Sequence, residues 1–186
     1  MRLFFIRHAK PKIINGEFFR CRLSDEGIRM TKDLASSGKL PKPDLILSSP
    51  YYRAIDTAKV FSEVFRMDFS VADFLMEWNL QSLNLPDPEY SHEELKGWGD
   101  LHARVRGDES LHDVQKRIYE GAVAEISKHP DLDNIFFICH GTVIDMLCTL
   151  VSGRQARLSD IKGMKHLDYA VLEYHSNKIE LIKDII

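Results

Sequence analysis

Four residues able to hold and move a phosphoryl group stand where the chain leaves apolar segments. Arg7 and His8 follow Leu3-Phe4-Phe5-Ile6, Arg53 follows Ser48-Ser49-Pro50, and His140 follows Ile135-Phe136-Phe137-Ile138-Cys139. Two guanidinium groups and two imidazoles at one edge suit a phosphoryl group, whose oxygens need charge-assisted donors during transfer. A guanidinium beside an imidazole disfavours the protonated ring, which keeps a nitrogen lone pair available near neutral pH. His8 could then accept the phosphoryl group as a phosphohistidine, with His140 donating to its oxygens. The departing alkoxide needs a proton, and a carboxyl group with a raised pKa could supply it and then activate water. Glu77, between Met76 and Trp78 at the end of a strand-like run, is the candidate.

Positioning these groups takes strands and helices that share an edge. The run Leu3–Ile6 and its echo at 135–138 are short, continuous and apolar, as in strands covered on both faces, and in open α/β sheets working residues sit beyond the carboxyl ends of such strands. Asp44-Leu45-Ile46-Leu47-Ser48 reads as another such strand, and residues 69 to 72 as a shorter one. Pro50 suits a helix start, and Ala54, Ala58, Phe61 and Phe65 recur at helical spacing, so Arg53 falls in a first turn beside open backbone amides. Ser24 with Asp25 and Glu26 predicts a helix start and Gly38 its end. Leu111, Val114, Ile118, Ala122 and Ile126 predict a helix over 109–128, stopped by Pro130, and an apolar helix begins at Gly141. Between 73 and about 107 the period is weak and Pro86, Pro88, Gly97, Gly99 and Gly107 accumulate, so this stretch reads as a loop-rich excursion near the active edge. Residues 153–163 read as loop, followed by strands at 169–174 and 179–182 around a Ser176-Asn177-Lys178 turn.

The whole chain sets limits. Its 186 residues and 44% hydrophobic content fit one domain spanning 1–186. A net charge of -3, with 25 basic and 28 acidic residues intermixed, gives no footprint for nucleic acid or an anionic membrane. Nowhere do about 18 apolar residues run together, and Met1-Arg2 leads into a strand without a cleavage site, so neither membrane spanning nor secretion is expected. Three cysteines without metal-ligand spacing suit free thiols in a reducing compartment, which points to the cytoplasm. The oligomeric state leaves no signal.

The motifs resemble those of the histidine phosphatase superfamily, the group that includes cofactor-dependent phosphoglycerate mutases. The resemblance runs in order through Arg7-His8-Ala9, Leu23-Ser24-Asp25-Glu26-Gly27, Ser49-Pro50-Tyr51-Tyr52-Arg53-Ala54, Thr57-Ala58, Glu109-Ser110 with Asp113 and Arg117, and His140-Gly141. It implies a three-layer α/β/α sandwich with a mostly parallel central sheet, His8 as the phosphorylated nucleophile, Arg7, Arg53 and His140 in the phosphate pocket, and Glu77 as proton donor. Neither metal nor cofactor is implied. Asn15 is similar to a loop asparagine that helps bind phosphate. Ala9 replaces the usual glycine, Asp56 stands where glutamine is common, and the family's Trp-Glu-Gly pattern is missing after Glu77.

The leading expectation is a phosphomonoester hydrolase acting on a small phosphorylated metabolite, because the chain lacks the insertions with which longer mutases enclose an intermediate. A phosphoglycerate mutase, a protein phosphohistidine phosphatase and a noncatalytic phospholigand-binding module are the alternatives. Cys148 and Arg154 match the Cys-x5-Arg spacing of cysteine phosphatases, but Cys148 lies in an apolar run and reads as a buried thiol. His92, His102 and His112, spaced by ten, fit no usual metal-ligand pattern and read as surface or loop histidines.

Overall fold

In the computed structural model, which describes residues 1–12, 20–78, 94–104 and 108–184, the two apolar runs become β1 (Arg2–Arg7) and β4 (Asn134–Cys139). They pair in parallel, residue for residue, from Arg2 opposite Asn134 to Arg7 opposite Cys139. Phe5 stacks on Phe137 with ring centroids 4.4 Å apart. With β2 (Leu45–Ser48), β3 (Ser70–Val71), β5 (Tyr169–His175) and β6 (Lys178–Lys183) they form one sheet in the order β3-β2-β4-β1-β5-β6. The pairings from β3 to β1 are parallel, while β5 and β6 join as an antiparallel hairpin. Ser176 and Asn177 turn that hairpin with φ of 49° and 63°, the left-handed pair that matches strand twist.

Alternation along each strand builds two cores. Phe4, Ile6, Ile46, Phe136 and Ile138 face one side, where they meet Ala54, Ala58 and Phe61. Leu3, Phe5, Leu47, Ile135 and Phe137 face the other, against Val114, Ile118, Ile144 and Leu147. A parallel sheet must be covered on both faces, and the helices supply the cover. They are α1 (Asp25–Ser36), α2 (Tyr52–Phe65), α3 at residues 94–99, α4 (Leu111–Lys128), α5 (Gly141–Ser152) and α6 (Leu158–Gly163). The result is a three-layer α/β/α sandwich with a mostly parallel sheet.

Local chemistry explains the helix starts. Ser24 caps α1 by accepting the Gly27 N–H at 3.0 Å, and Ser110 and Asp113 close a reciprocal capping box at α4. Gly27 is obligatory, because a Cβ there would lie 2.3 Å from the Lys10 carbonyl oxygen. α2 and α5, by contrast, begin without any side-chain cap.

Two stretches differ from the sequence expectation. Residues 158–163 form α6 rather than loop, and the excursion contains α3 and a 3-10 turn over Asp73–Leu75. The run before Glu77 is therefore this turn, not a strand. These elements are too short to show a helical period. Residues 79–93 and 105–107 of the excursion lie outside the described residues. No helix among the described residues is long and apolar enough to cross a membrane.

Candidate phosphoryl-transfer site

The in-register pairing of β1 and β4 determines where the histidines emerge. The His8 N–H donates to the Cys139 carbonyl at 2.9 Å, so His8 and His140 leave the sheet side by side with ring centroids 5.2 Å apart. β2 delivers the third group. Its ladder extends through Ser49 N–H to the Ile138 carbonyl at 2.9 Å, and the chain then turns through Pro50 into α2, placing Arg53 in the first turn. His8, Arg53 and His140 are all buried.

Hydrogen bonds assign the protons. His8 Nδ1 lies 2.8 Å from the Ala9 carbonyl oxygen, and Arg53 Nε–H donates to His8 Nε2 at 2.9 Å. A carbonyl can only accept and a guanidinium can only donate, so Nδ1 carries the proton and Nε2 presents its lone pair. Arg53 Nη2–H reaches His140 Nδ1 at 3.2 Å, while His140 Nε2 meets Ser49 Oγ at 2.7 Å. Burial and then Arg53 hold both imidazoles well below their ordinary pKa, with Arg7 adding to the effect. Both rings are neutral near pH 7.

Arg7 closes the group. Its Nη1 donates to the Met164 carbonyl, while its Nε–H is buried and has no acceptor among the described residues. Such a donor, beside two helix starts that lack side-chain caps, makes a place for an anion. Ala9 fits without strain: it is not among the left-handed residues, and its N–H donates to Thr57 Oγ1 at 3.0 Å. Asp56 faces away from the chemistry, accepting the Leu23 N–H at 3.1 Å and pairing with Arg22 at 3.0 Å, which ties the 20–23 segment to α2.

Glu77 arrives from the opposite wall. Arg117 on α4 pairs with Glu109 at 2.6 Å and donates to the carbonyls of Phe74 at 2.6 Å and Met76 at 3.0 Å, clamping the turn that carries Glu77. Trp78 N–H then donates to Glu77 Oε1 at 2.8 Å, and the Trp78 indole to the Glu109 carbonyl at 2.8 Å. Burial raises the Glu77 carboxyl above its ordinary range, against the opposing pull of Trp78 N–H, Arg53, the Thr142 hydroxyl and Arg7. A carboxyl so placed can be protonated when a leaving group needs its proton.

The structure therefore brings Arg7, His8, Arg53, His140 and Glu77 together. Asn15 lies outside the described residues. Ser49, Thr142 and His166 also stand at the site and were not singled out by sequence reasoning. Ser49 opens the motif that carries Arg53, but residue spacing does not show that its hydroxyl meets the His140 ring. His166 stands with its ring 5.7 Å from that of His8, and burial followed by Arg7 and Lys10 lowers its pKa. It precedes β5, whose antiparallel course starts at the edge where β1 ends, a direction the residue pattern of β5 does not reveal. The adjoining Leu167 is left-handed at φ 66°, held by its N–H to the Arg7 carbonyl at 3.2 Å.

The other candidates resolve differently. Cys148 is buried and its thiol is pushed up, chiefly by burial, while Arg154 pairs with Asp145, Asp160 and Asp184. His102 and His112 are exposed but meet at 4.3 Å between ring centroids, and His92 lies outside the described residues.

A family model described as the histidine phosphatase superfamily, branch 1, matches residues 3–184. No curated protein sequence matches the chain. Among solved structures, a mycobacterial glucosyl-3-phosphoglycerate phosphatase in complex with VO3 superimposes with a TM-score of 0.74 at 22% identity, over 97% of this chain and 95% of that one. A phosphoserine phosphatase mutant from Entamoeba histolytica, in complex with phosphoserine, gives 0.75 at 16% identity over 98% and 95%. The alpha-ribazole phosphatase from Shigella flexneri gives 0.69 at 18% identity over 97% and 94%. At these identities the likeness is one of fold.

Proposed function

Given that the chain belongs to branch 1 of the histidine phosphatase superfamily, we propose that it is a phosphomonoester hydrolase acting through a phosphohistidine on a small phosphorylated metabolite. One observation carries the reading: His8 is held with its proton on Nδ1 and its Nε2 lone pair directed at the guanidinium of Arg53. In the first step Arg53 turns its donors to the phosphoryl oxygens, Nε2 forms the bond to phosphorus, and the bond to the alcohol oxygen breaks. Glu77 gives that oxygen its proton. In the second step Glu77, now a carboxylate, takes a proton from water as the water oxygen displaces His8. Arg7, Arg53 and His140 bind the phosphoryl oxygens through both steps. The phosphatases of phosphoserine, glucosyl-3-phosphoglycerate and alpha-ribazole phosphate that share the fold support a small phosphorylated substrate.

The reaction as written uses only side chains, so neither metal nor cofactor is assigned, and residues 1–186 act as one domain. The buried free thiols Cys139 and Cys148 support a reducing, cytoplasmic setting. The test is a panel of phosphorylated metabolites and phosphopeptides assayed for phosphate release, with and without chelator. Wild type is expected to release phosphate from small monoesters with chelator present, and His8→Ala to lose at least about a hundredfold in rate. Equal rates for the two proteins would remove His8 as nucleophile, and faster isomerisation of phosphoglycerate than hydrolysis would replace the hydrolase with a mutase.

A further inference from the structure

We propose that Ser49 fixes the proton of His140 on Nε2, leaving Nδ1 as an open acceptor that gains a proton when a phosphoryl group enters, so that phosphate binding is proton-linked at His140. The inference rests on the phosphoryl-pocket reading above and adds to it a positioning residue and a proton.

The hydrogen-bond directions require it. Arg53 can only donate, so its contact with His140 Nδ1 at 3.2 Å occupies a lone pair. The single proton of the neutral ring is then on Nε2, and Ser49 Oγ at 2.7 Å is its acceptor. Ser49 Oγ also receives the Tyr51 N–H at 3.4 Å, so two donors converge on it. Both Ser49 and His140 have no exposed surface, and water cannot readily stand in for the missing hydroxyl.

This arrangement conflicts with phosphate binding unless a proton moves. Once Arg53 turns to the phosphoryl oxygens, an Nδ1 lone pair would face an oxygen lone pair. Arg7 and His8 face His140 from the end of β1, Tyr51 from the position just before α2, Arg53 from α2 itself, and Arg117 from α4, with Glu77 beside Arg7 and Arg53. In the empty site these cations oppose an imidazolium; a phosphoryl dianion reverses the balance. A monoanionic monoester breaks its own O–H bond as Nδ1–H forms, leaving the dianion held by the imidazolium. A dianion arrives with a proton taken from solvent.

Inorganic phosphate is the probe. At about pH 8, calorimetry in buffers of different ionisation enthalpy is expected to show uptake of about one proton per phosphate, and affinity to fall about tenfold per pH unit. Nitrogen-15 spectra, with His140 assigned by a His140→Gln variant, are expected to show a proton on Nε2 alone in the free protein and on both nitrogens in the complex. Ser49→Ala is expected to mix the free-state tautomers and lose much of the proton uptake, and Ser49→Thr to restore both. A free His140 protonated on Nδ1, or a complex with neutral His140, overturns the inference; because both are wild-type measurements, they decide even if Ser49→Ala folds poorly. Wild-type proton uptake in a folded Ser49→Ala variant overturns it as well. Phosphate bound without proton uptake removes this inference alone, whereas no phosphate binding at all removes the pocket reading with it.

Discussion

His8 and Glu77 are pushed in opposite directions by the same low-polarity pocket. Burial lowers the imidazole well below 6.5 and raises the carboxyl above 4.5, so each is biased toward its neutral form. The proposed reaction needs His8 without its second proton and Glu77 with its proton. The rate is therefore expected to rise with pH through the lowered His8 value and fall through the raised Glu77 value, a bell-shaped profile. Glu77→Gln is expected to remove the alkaline limb and to cost about 10²–10⁴ in kcat on alkyl monoesters, with a smaller loss on nitrophenyl phosphate, whose leaving group needs no proton. Stability follows the same shifts. His8 and His140 bind protons more weakly folded than unfolded, so the contribution from keeping them neutral is complete above pH 6.5 and is lost as pH falls toward their folded values. Arg7, His8, Arg53 and His140 were legible in the sequence because each ends or follows an apolar run. Ser49 and His166 were not, because their roles lie in a ring nitrogen and in the direction of a neighbouring strand.

Helix α4 reaches the turn that carries Glu77 through one arginine. Arg117 holds the carbonyls of Phe74 and Met76, and behind it Gly121 lets the helix pack on Phe74, where a Cβ would come within 2.3 Å of the ring. Arg117→Met should free the turn that carries Glu77. The expected outcome is a drop of about tenfold or more in kcat with nearly unchanged phosphate affinity, since the proposed phosphate-binding groups come from other elements. A second tie joins α5, α6 and the residue that follows β6. Arg154 joins Asp145 of α5 to Asp160 of α6 and to Asp184 beyond β6. Burial pushes the Asp145 carboxyl up to about 6, so the folded chain holds that proton more tightly than the unfolded chain does at 3.8. Its contribution therefore falls as pH rises from about 4 to about 6, by about 3 kcal/mol in all. Asp145→Asn should remove this slope, as seen in thermal midpoints of the two proteins across that range. The long helices were legible from their apolar period, whereas α6, at six residues, is held by packing and by Arg154, which spacing along the chain does not show.

Across the whole molecule, the site occupies the edge where four parallel strands end, and the two faces of the sheet contribute different parts. α2 brings Arg53 from one face, while α4 and α5 bring the support for Glu77 and the helix start at His140 from the other. The net charge of -3 contrasts with the arginines gathered at this edge, which is why overall composition gave no sign of an anion site. The residue-for-residue pairing of β1 with β4 also governs how the protein fails. Both strands are buried at the centre of the sheet, and their amides are expected to exchange with deuterium only through global opening. The spacing of His8 and His140 is therefore expected to hold until the central strands open. In urea, loss of phosphate release and loss of secondary structure are expected to share one midpoint, and inactivation well before unfolding would show that the pair can separate by a local route.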